Sequence, residues 1–119
     1  MNLIVQKYGG SSVASIERIL HVAQRIKHAR VLGHELVIVV SAMQHKTDEL
    51  ISLANQVAKF PSRRELDMLL TTGERVSMSL LAIALNDMGV PAISFTGSQG
   101  GIVTDNCHTN AKIITVKSD

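Results

Sequence analysis

The residues most suited to chemistry in this sequence form the hexapeptide Lys7-Tyr8-Gly9-Gly10-Ser11-Ser12. Two adjacent glycines let backbone amides approach an anion, and the helix predicted after them would add free N–H groups and a positive dipole end. Lys7 adds a mobile positive charge, so the hexapeptide suits a phosphate group. It matches neither the dinucleotide-binding nor the P-loop fingerprint. A tight strand-to-helix turn beside an incidental lysine explains the same residues equally well.

Three other polar residues could bind a small ligand. Ser41 and Thr47 carry hydroxyl groups in the stretch after an apolar run, and Glu74 is a carboxylate that could hold an ammonium group. Thr47 could instead cap the next helix, and Glu74 could interact with a helix dipole in a first turn, which is the commoner role of such a residue. The five histidines show no metal-ligand spacing, so no metal site is predicted, and Cys107 has no evident catalytic partner.

The elements that must position these residues alternate between β-rich and helical runs. The patterns predict strands at 3–8, 36–40, 91–95 and 113–116. They predict helices from 13 to a stop at Gly33, at 47–58, at 62–73, and from 74 to 88 with a stop at Gly89. The last of these is apolar almost all round and is expected to be buried. Ser11 or Ser12 is expected to cap the first helix, and Ser62 with Glu65 matches a capping box. This order predicts an α/β fold with a mostly parallel sheet, whose ligands bind at the carboxyl ends of the strands. Residues 96–101 form a third candidate loop at that edge.

The composition narrows the class of protein. The chain has 119 residues, of which 45% are hydrophobic and 18% charged, and this excludes a disordered chain. A net charge of +2 is too small to indicate nucleic acid or a membrane surface as a partner. One cysteine excludes an internal disulfide framework. No uninterrupted apolar run approaches the roughly 18 residues of a membrane helix, and no secretory signal is visible. We therefore expect a cytoplasmic protein.

Four segments of the chain carry a resemblance to a known family. Besides the hexapeptide, they are VIVVSAM at 37–43, RRELDMLLTTGE at 63–74 and ISFTGSQGGI at 93–102. In this order they resemble the corresponding segments of aspartate kinases, in the amino-acid kinase family. Each segment is moderately specific, and the four together, spanning nearly the whole chain, are strongly so. The resemblance implies a three-layer αβα sandwich with a mostly parallel sheet, of which the chain holds an incomplete part.

The resemblance also implies an activity. Aspartate kinases transfer the γ-phosphoryl group of ATP, with Mg²⁺, to the side-chain carboxylate of L-aspartate, on the route to lysine, threonine, methionine and isoleucine. The acceptor carboxylate is already a nucleophile, so positioning and charge neutralisation supply the catalysis. Lys7 would be the catalytic residue that stabilises the transferring group. The implied site residues are Lys7, Gly9, Gly10 and Ser11 for the phosphates of ATP, and Ser41, Thr47 and Glu74 for aspartate.

The sequence departs from the family in two ways. Gln44 stands where the family usually has glycine and would strain the loop if that glycine has positive φ, and Lys46 replaces a common threonine. The family's catalytic domain is much longer, so we expect residues 1–119 to be its amino-terminal portion. The nucleotide-binding half and the ACT regulatory domains would then be absent, with exposed apolar surface along the sheet edge near Val116.

Several functional interpretations stay open for such a chain. We expect it to be inactive alone and a homo-oligomer when full length. One alternative is a non-catalytic remnant or regulatory half that binds aspartate or a partner chain. Another is a different kinase of the same fold, acting on acetylglutamate or uridylate, although the segments at 63–74 and 93–102 favour aspartate kinase.

Overall fold

The structure, a computed structural model, describes residues 2–95 and the backbone of residues 112–116. The loop predicted at 96–101 and Cys107 lie outside the described residues. The elements are β1 (Leu3–Tyr8), a 3-10 turn (Gly10–Val13), α1 (Ile16–Val31), β2 (Glu35–Val40), α2 (Gln44–Val57), α3 (Arg63–Asp87), β3 (Ala92–Phe95) and β4 (Lys112–Val116).

The four described strands form one sheet in the order β1-β2-β4-β3. β1 and β2 are parallel, with Lys7 opposite Val39, whereas β4 lies antiparallel between β2 and β3. Three of the four strands therefore share one direction, and the predicted α/β class is confirmed. Val116 pairs with both Leu36 and Ala92, so the expectation that it lies at a sheet edge is wrong.

The hydrophobic core lies between one face of the sheet and the helices α1 and α3. Alternate residues of β1 and β2 face this core, where they meet side chains of both helices: Ile4, Tyr8, Leu36, Ile38, Val40, Ile19, Ile26, Leu81 and Leu85. The other residues of the two strands face away, because successive side chains of a strand point to opposite faces. Leu3 and Val5 are accordingly 64% and 66% exposed. The second helical layer of the predicted sandwich stays a prediction.

The start of α1 differs from the prediction, whereas its end agrees. A 3-10 turn follows the glycines, closed by the Ser12 N–H donating to the Gly9 carbonyl at 3.0 Å. The cap of α1 is Ser15, whose Oγ accepts from the Arg18 N–H at 3.2 Å, so the expectation of a cap at Ser11 or Ser12 is wrong. Gly33 ends the helix with φ of +94°, a conformation that glycine adopts at little cost.

The two helices predicted at 62–73 and 74–88 are one continuous helix, α3. Gly73 does not interrupt it. Ser62 is its N-cap but makes no side-chain hydrogen bond there, so the predicted capping box does not form. Gly89, with φ of +82°, follows its end as predicted. The part of α3 from Glu74 onward was expected to be buried all round, yet Val76 and Ile83 are exposed because only one side of the helix meets the core.

Length and hydropathy alone would let α3 cross a membrane, unlike the other described helices. The sequence contains no uninterrupted apolar run of that length, but an 18-residue window of α3 reaches a mean hydropathy of 1.3. This is weak evidence for a membrane span, because core helices pass the same test. The core contacts of α3 explain its apolar composition.

Candidate active site

Two loops meet at the carboxyl ends of β1 and β2. We call residues 9–12 the glycine loop and residues 41–43 the Ser41 loop. The Ser41 N–H donates to the Tyr8 carbonyl at 3.1 Å, which continues the pairing of β1 with β2. A Cβ atom on Gly10 would lie 3.0 Å from the Ala42 carbonyl oxygen and 3.3 Å from the Gln44 Cα. The missing side chain of Gly10 therefore allows the two loops to touch.

α3 also packs against the Ser41 loop. A Cβ atom on Gly73 would lie 3.2 Å from the Ala42 Cβ and 3.0 Å from the Lys46 Cγ, so this glycine permits close helix packing. One turn later, the fully buried Ser77 donates its hydroxyl to the Ser41 carbonyl at 2.6 Å. The sequence patterns do not predict Ser77 as part of the site. Its one signal is a serine within an apolar helix, three residues after Glu74.

Glu74 lies in the middle of α3 and is 0% exposed. Its interpretation as a first-turn partner of a helix dipole is therefore wrong, because α3 begins at Arg63 and not after Gly73. Charged side chains are seldom fully buried, since an ionised carboxylate loses its hydration there. Its main-chain carbonyl lies 3.2 Å from the Ser77 hydroxyl, which places Glu74 beside the Ser41 loop. A ligand can reach the carboxylate only if a neighbouring group moves.

Thr47 lies in the first turn of α2 and does not cap it. α2 begins at Gln44 after Met43, which makes no side-chain cap hydrogen bond, so the capping interpretation of Thr47 is wrong. Gln44 lies in the helix, and no described non-glycine residue has positive φ, so the strain expected at Gln44 is absent from the described part of the chain. Lys46, the neighbour of Thr47, packs against Gly73. Thr47 itself is half-buried and follows Lys46 in the first turn of α2.

The residues predicted to hold phosphate make fewer contacts with one another than do the Ser41 loop and α3. Lys7 is exposed and, by strand alternation, lies on the sheet face opposite the buried Tyr8 and α3. Gly9 is extended and exposed, with nothing within 4 Å of the position of a Cβ atom. Ser11 is exposed within the 3-10 turn. α1 begins only at Ile16, so the expectation that a helix dipole follows the glycines directly is wrong.

Tyr8 links the glycine loop to a groove along α1. Its hydroxyl donates to the Gln6 Oε1 at 3.0 Å. Burial raises the pKa of the Tyr8 phenol, and the positive charge of Arg25 offsets part of that rise. The groove has a volume of about 670 Å³, and its lining includes Tyr8, Ser12 and Arg25. Since Ser41, Thr47 and Glu74 do not line it, this groove is not the predicted aspartate site.

The described residues also bear on metal binding. Within residues 2–95 and 112–116, no group of three or more His, Cys, Asp or Glu side chains is placed to hold a metal ion. Glu74, the carboxylate nearest the Ser41 loop in the contacts above, is buried on α3. The described residues therefore supply no protein ligand set for Mg²⁺, an ion that proteins often hold by one or two carboxylates together with substrate phosphates.

Comparisons with known proteins indicate the family of the chain. The chain is 54% identical, over all of its 119 residues, to an aspartokinase of Bacillus sp. (strain MGA3), and spans 29% of that protein. A crystal structure of an aspartate kinase from Synechocystis matches 82% of the chain and 17% of its own, with 58% identity and a TM-score of 0.79. Escherichia coli aspartokinase III, crystallised with aspartate and ADP, shares the fold at 18% identity and a TM-score of 0.62, covering 76% of the chain and 30% of its own. The model of the amino acid kinase family matches residues 2–119. The chain therefore belongs to the amino acid kinase family.

Proposed function

We propose that this chain supplies the amino-terminal part of the catalytic domain of an aspartate kinase. The chain spans less than a third of the aspartokinases it matches, so we propose the activity for a longer chain that contains residues 1–119. The observation that carries the proposal is the meeting of the glycine loop, the Ser41 loop and the Glu74 turn of α3 at the carboxyl ends of β1 and β2. Ligands of open α/β sheets bind at this edge.

The reaction is transfer of the ATP γ-phosphoryl group to the side-chain carboxylate of L-aspartate. A carboxylate oxygen attacks the γ-phosphorus while the bond to the β,γ-bridging oxygen breaks, giving 4-phospho-L-aspartate and ADP. No proton has to be removed from the attacking oxygen, so the protein contributes chiefly alignment and charge stabilisation. The product is the acyl phosphate expected at the start of lysine, threonine, methionine and isoleucine biosynthesis. The E. coli relative, crystallised with aspartate and ADP, supports this choice of ligands.

The glycine loop and Lys7 would handle the phosphates in this proposal. The exposed backbone of Gly9 can meet a phosphate oxygen without side-chain hindrance, and Gly10 and Ser11 continue the same surface. Lys7 approaches from the other face of the sheet, one residue before β1 ends. It would neutralise charge that builds on the transferring group, a form of stabilisation that is strong where water is excluded.

The Ser41 loop and α3 would hold aspartate. Ser41 and Thr47 supply hydroxyl groups, and Glu74 supplies the negative charge that an ammonium group requires. Because Glu74 is completely buried, binding of aspartate includes movement of a group that covers it. A cytoplasmic location and a homo-oligomeric full-length enzyme remain parts of the proposal, as does Mg²⁺, for which no described residue is assigned.

The proposal can be tested by completing the chain. The completed chain joins residues 1–119 to the remaining residues of the Bacillus sp. (strain MGA3) aspartokinase, which is 54% identical over the shared part. With ATP, Mg²⁺ and L-aspartate, hydroxylamine should trap an aspartyl hydroxamate, whereas acetylglutamate and uridylate should give no product. A folded completed chain that neither binds nor phosphorylates aspartate would contradict the proposal.

A second candidate function is binding of a partner chain without catalysis. The observation that favours it is the apolar sheet face away from α1 and α3, where Leu3 and Val5 are largely exposed. Under this alternative the 119-residue chain associates with a partner and its melting temperature shifts on binding. A monomer in light scattering, with no shift in melting temperature on adding aspartate, would argue against it.

A further inference from the structure

We infer that Ser77 is the positioning residue that fixes the Ser41 loop against α3, and so sets the distance between Ser41 and Glu74. This inference rests on the proposed function, which gives those two residues to aspartate. Ser77 is fully buried, and its hydroxyl donates to the Ser41 carbonyl at 2.6 Å across a sequence separation of 36 residues. The same oxygen lies 3.2 Å from the Glu74 carbonyl, so it touches the main chain of both residues.

The preference of Ser77 for the loop is not the usual behaviour of a helical hydroxyl. Hydroxyl groups inside helices commonly bond to a carbonyl in the preceding turn. Thr71 and Thr72, on the same helix, do so at 2.8 Å and 2.7 Å. At Ser77 the contact with the preceding turn is the longer one and the contact with Ser41 is the shorter. The hydroxyl therefore contributes mainly to the tertiary contact.

The Ser41 loop is held at successive points, and Ser77 provides the hydrogen bond from α3. The Ser41 N–H donates to β1, through the Tyr8 carbonyl, and the Ser41 carbonyl accepts from Ser77. Ala42 then packs between the close approaches at Gly10 and Gly73. With both main-chain groups of Ser41 engaged, the direction of its Cα–Cβ bond is fixed relative to α3. An aspartate bound between Ser41 and Glu74 depends on that direction.

Loss of the Ser77 hydroxyl should weaken aspartate binding selectively. Ser77→Ala removes the hydrogen bond to Ser41 without adding volume, so the helix is expected to persist while the loop loosens. In the completed chain, we expect the KM for aspartate to rise about tenfold and the KM for ATP to change less than about twofold, because the residues proposed for the phosphates lie on β1 and the glycine loop and not on α3. Ser77→Thr keeps the hydroxyl and should restore most of the affinity.

The matched control is Ser79→Ala, the same substitution at an exposed position of the same helix. It should leave both KM values unchanged. A second measurement uses the 119-residue chain without catalysis: hydrogen–deuterium exchange of the Ser41 amide should become about tenfold faster in Ser77→Ala and stay constant in Ser79→Ala. Melting temperatures of all variants separate local loosening from loss of the fold.

Each result decides the inference. It is supported if the KM for aspartate and the Ser41 exchange rate rise together in Ser77→Ala alone and Ser77→Thr reverses the rise in KM. It is overturned if Ser77→Ala lowers only the melting temperature, if both KM values rise equally, or if Ser41 exchange is unchanged. If the unsubstituted completed chain folds but does not use aspartate, the proposed function fails, while the exchange result still decides whether Ser77 holds the loop.

Discussion

Gly9 and Gly10 are neighbours in sequence, yet replacing each with alanine should change stability in opposite directions. A Cβ atom on Gly10 would lie 3.0 Å from the Ala42 carbonyl oxygen and within 3.4 Å of two backbone atoms of Gln44, so the Ser41 loop must shift. At Gly9, which is extended with φ of −78°, a Cβ atom would meet nothing within 4 Å. The two variants therefore differ in the space that the folded structure leaves for the added methyl group.

The magnitude follows from two opposing contributions. Replacing glycine with alanine in a compatible conformation restricts the unfolded chain and stabilises the fold by about 0.4–1 kcal/mol. Both variants share this gain, so it cancels in the difference between them. Overpacking against backbone atoms costs about 1–3 kcal/mol and applies at Gly10 alone. Gly9→Ala should therefore be slightly more stable than the unsubstituted chain, and Gly10→Ala less stable than Gly9→Ala by about 1–3 kcal/mol.

Urea denaturation of the 119-residue chain measures this difference. The chain has one tyrosine, Tyr8, and no tryptophan, so tyrosine fluorescence reports the edge of the sheet beside both glycines. With an ordinary dependence on denaturant, the midpoints of the two variants should differ by about 1 M urea. Equal midpoints, or a more stable Gly10→Ala, would refute the close approach of the glycine and Ser41 loops.

Three further predictions address other parts of the structure. Burial raises the pKa of Tyr8 above its ordinary value of 10.0, so the associated stability is fully present below about pH 10 and is lost as the pH rises through the raised pKa. The phenolate absorbance of the folded and the urea-unfolded chain, followed against pH, measures this difference. Equal titration midpoints in the two states would contradict it. Gly33→Ala should cost about 1–2 kcal/mol because φ is +94°, whereas Gly9→Ala should not, as urea midpoints will show. Glu74→Gln in the completed chain should lower kcat/KM for aspartate about 10- to 100-fold with the KM for ATP unchanged, and a loss below about twofold would contradict the ammonium assignment.

The elements with strong local signals could be predicted from the sequence. The order of strands and helices, apart from the division of α3 into two, and the stops at Gly33 and Gly89 agree with the structure. In each case the signal is a property of neighbouring residues. A β-branched run favours a strand, and a glycine with positive φ ends a helix because other residues adopt that conformation only at a cost.

The predicted helix boundaries were wrong where several residues offered the same local chemistry. Ser11, Ser12 and Ser15 are all suitable N-caps, and the tertiary contact of Gly10 with the Ser41 loop favours a 3-10 turn before the helix. Gly73 resembles a helix stop, but its role is to let Lys46 and Ala42 approach a continuous α3. A local sequence pattern contains no information about which distant residues pack against the segment.

The candidate site could be predicted only in part for the same reason. The motifs placed Ser41 and Glu74 in one site, and the structure brings their main chains within reach of one hydroxyl, that of Ser77. That hydroxyl belongs to a residue 36 positions from Ser41, which no periodicity connects to it. Strand alternation alone predicts that Lys7 and Tyr8 lie on opposite faces of the sheet. Which of these faces α3 covers depends on tertiary packing, and in the structure it is the face of Tyr8.

The most direct test of the central claim is hydroxamate trapping with the completed chain. Supplied with ATP, Mg²⁺ and L-aspartate, it should form aspartyl hydroxamate in an amount that matches the ADP released, and omission of aspartate should abolish both. Glu74→Gln at the same protein concentration serves as the matched control and should lower the yield at subsaturating aspartate. Hydroxamate formation with aspartate and not with acetylglutamate would support an aspartate kinase. A folded completed chain that binds ATP but forms no hydroxamate with aspartate would contradict it.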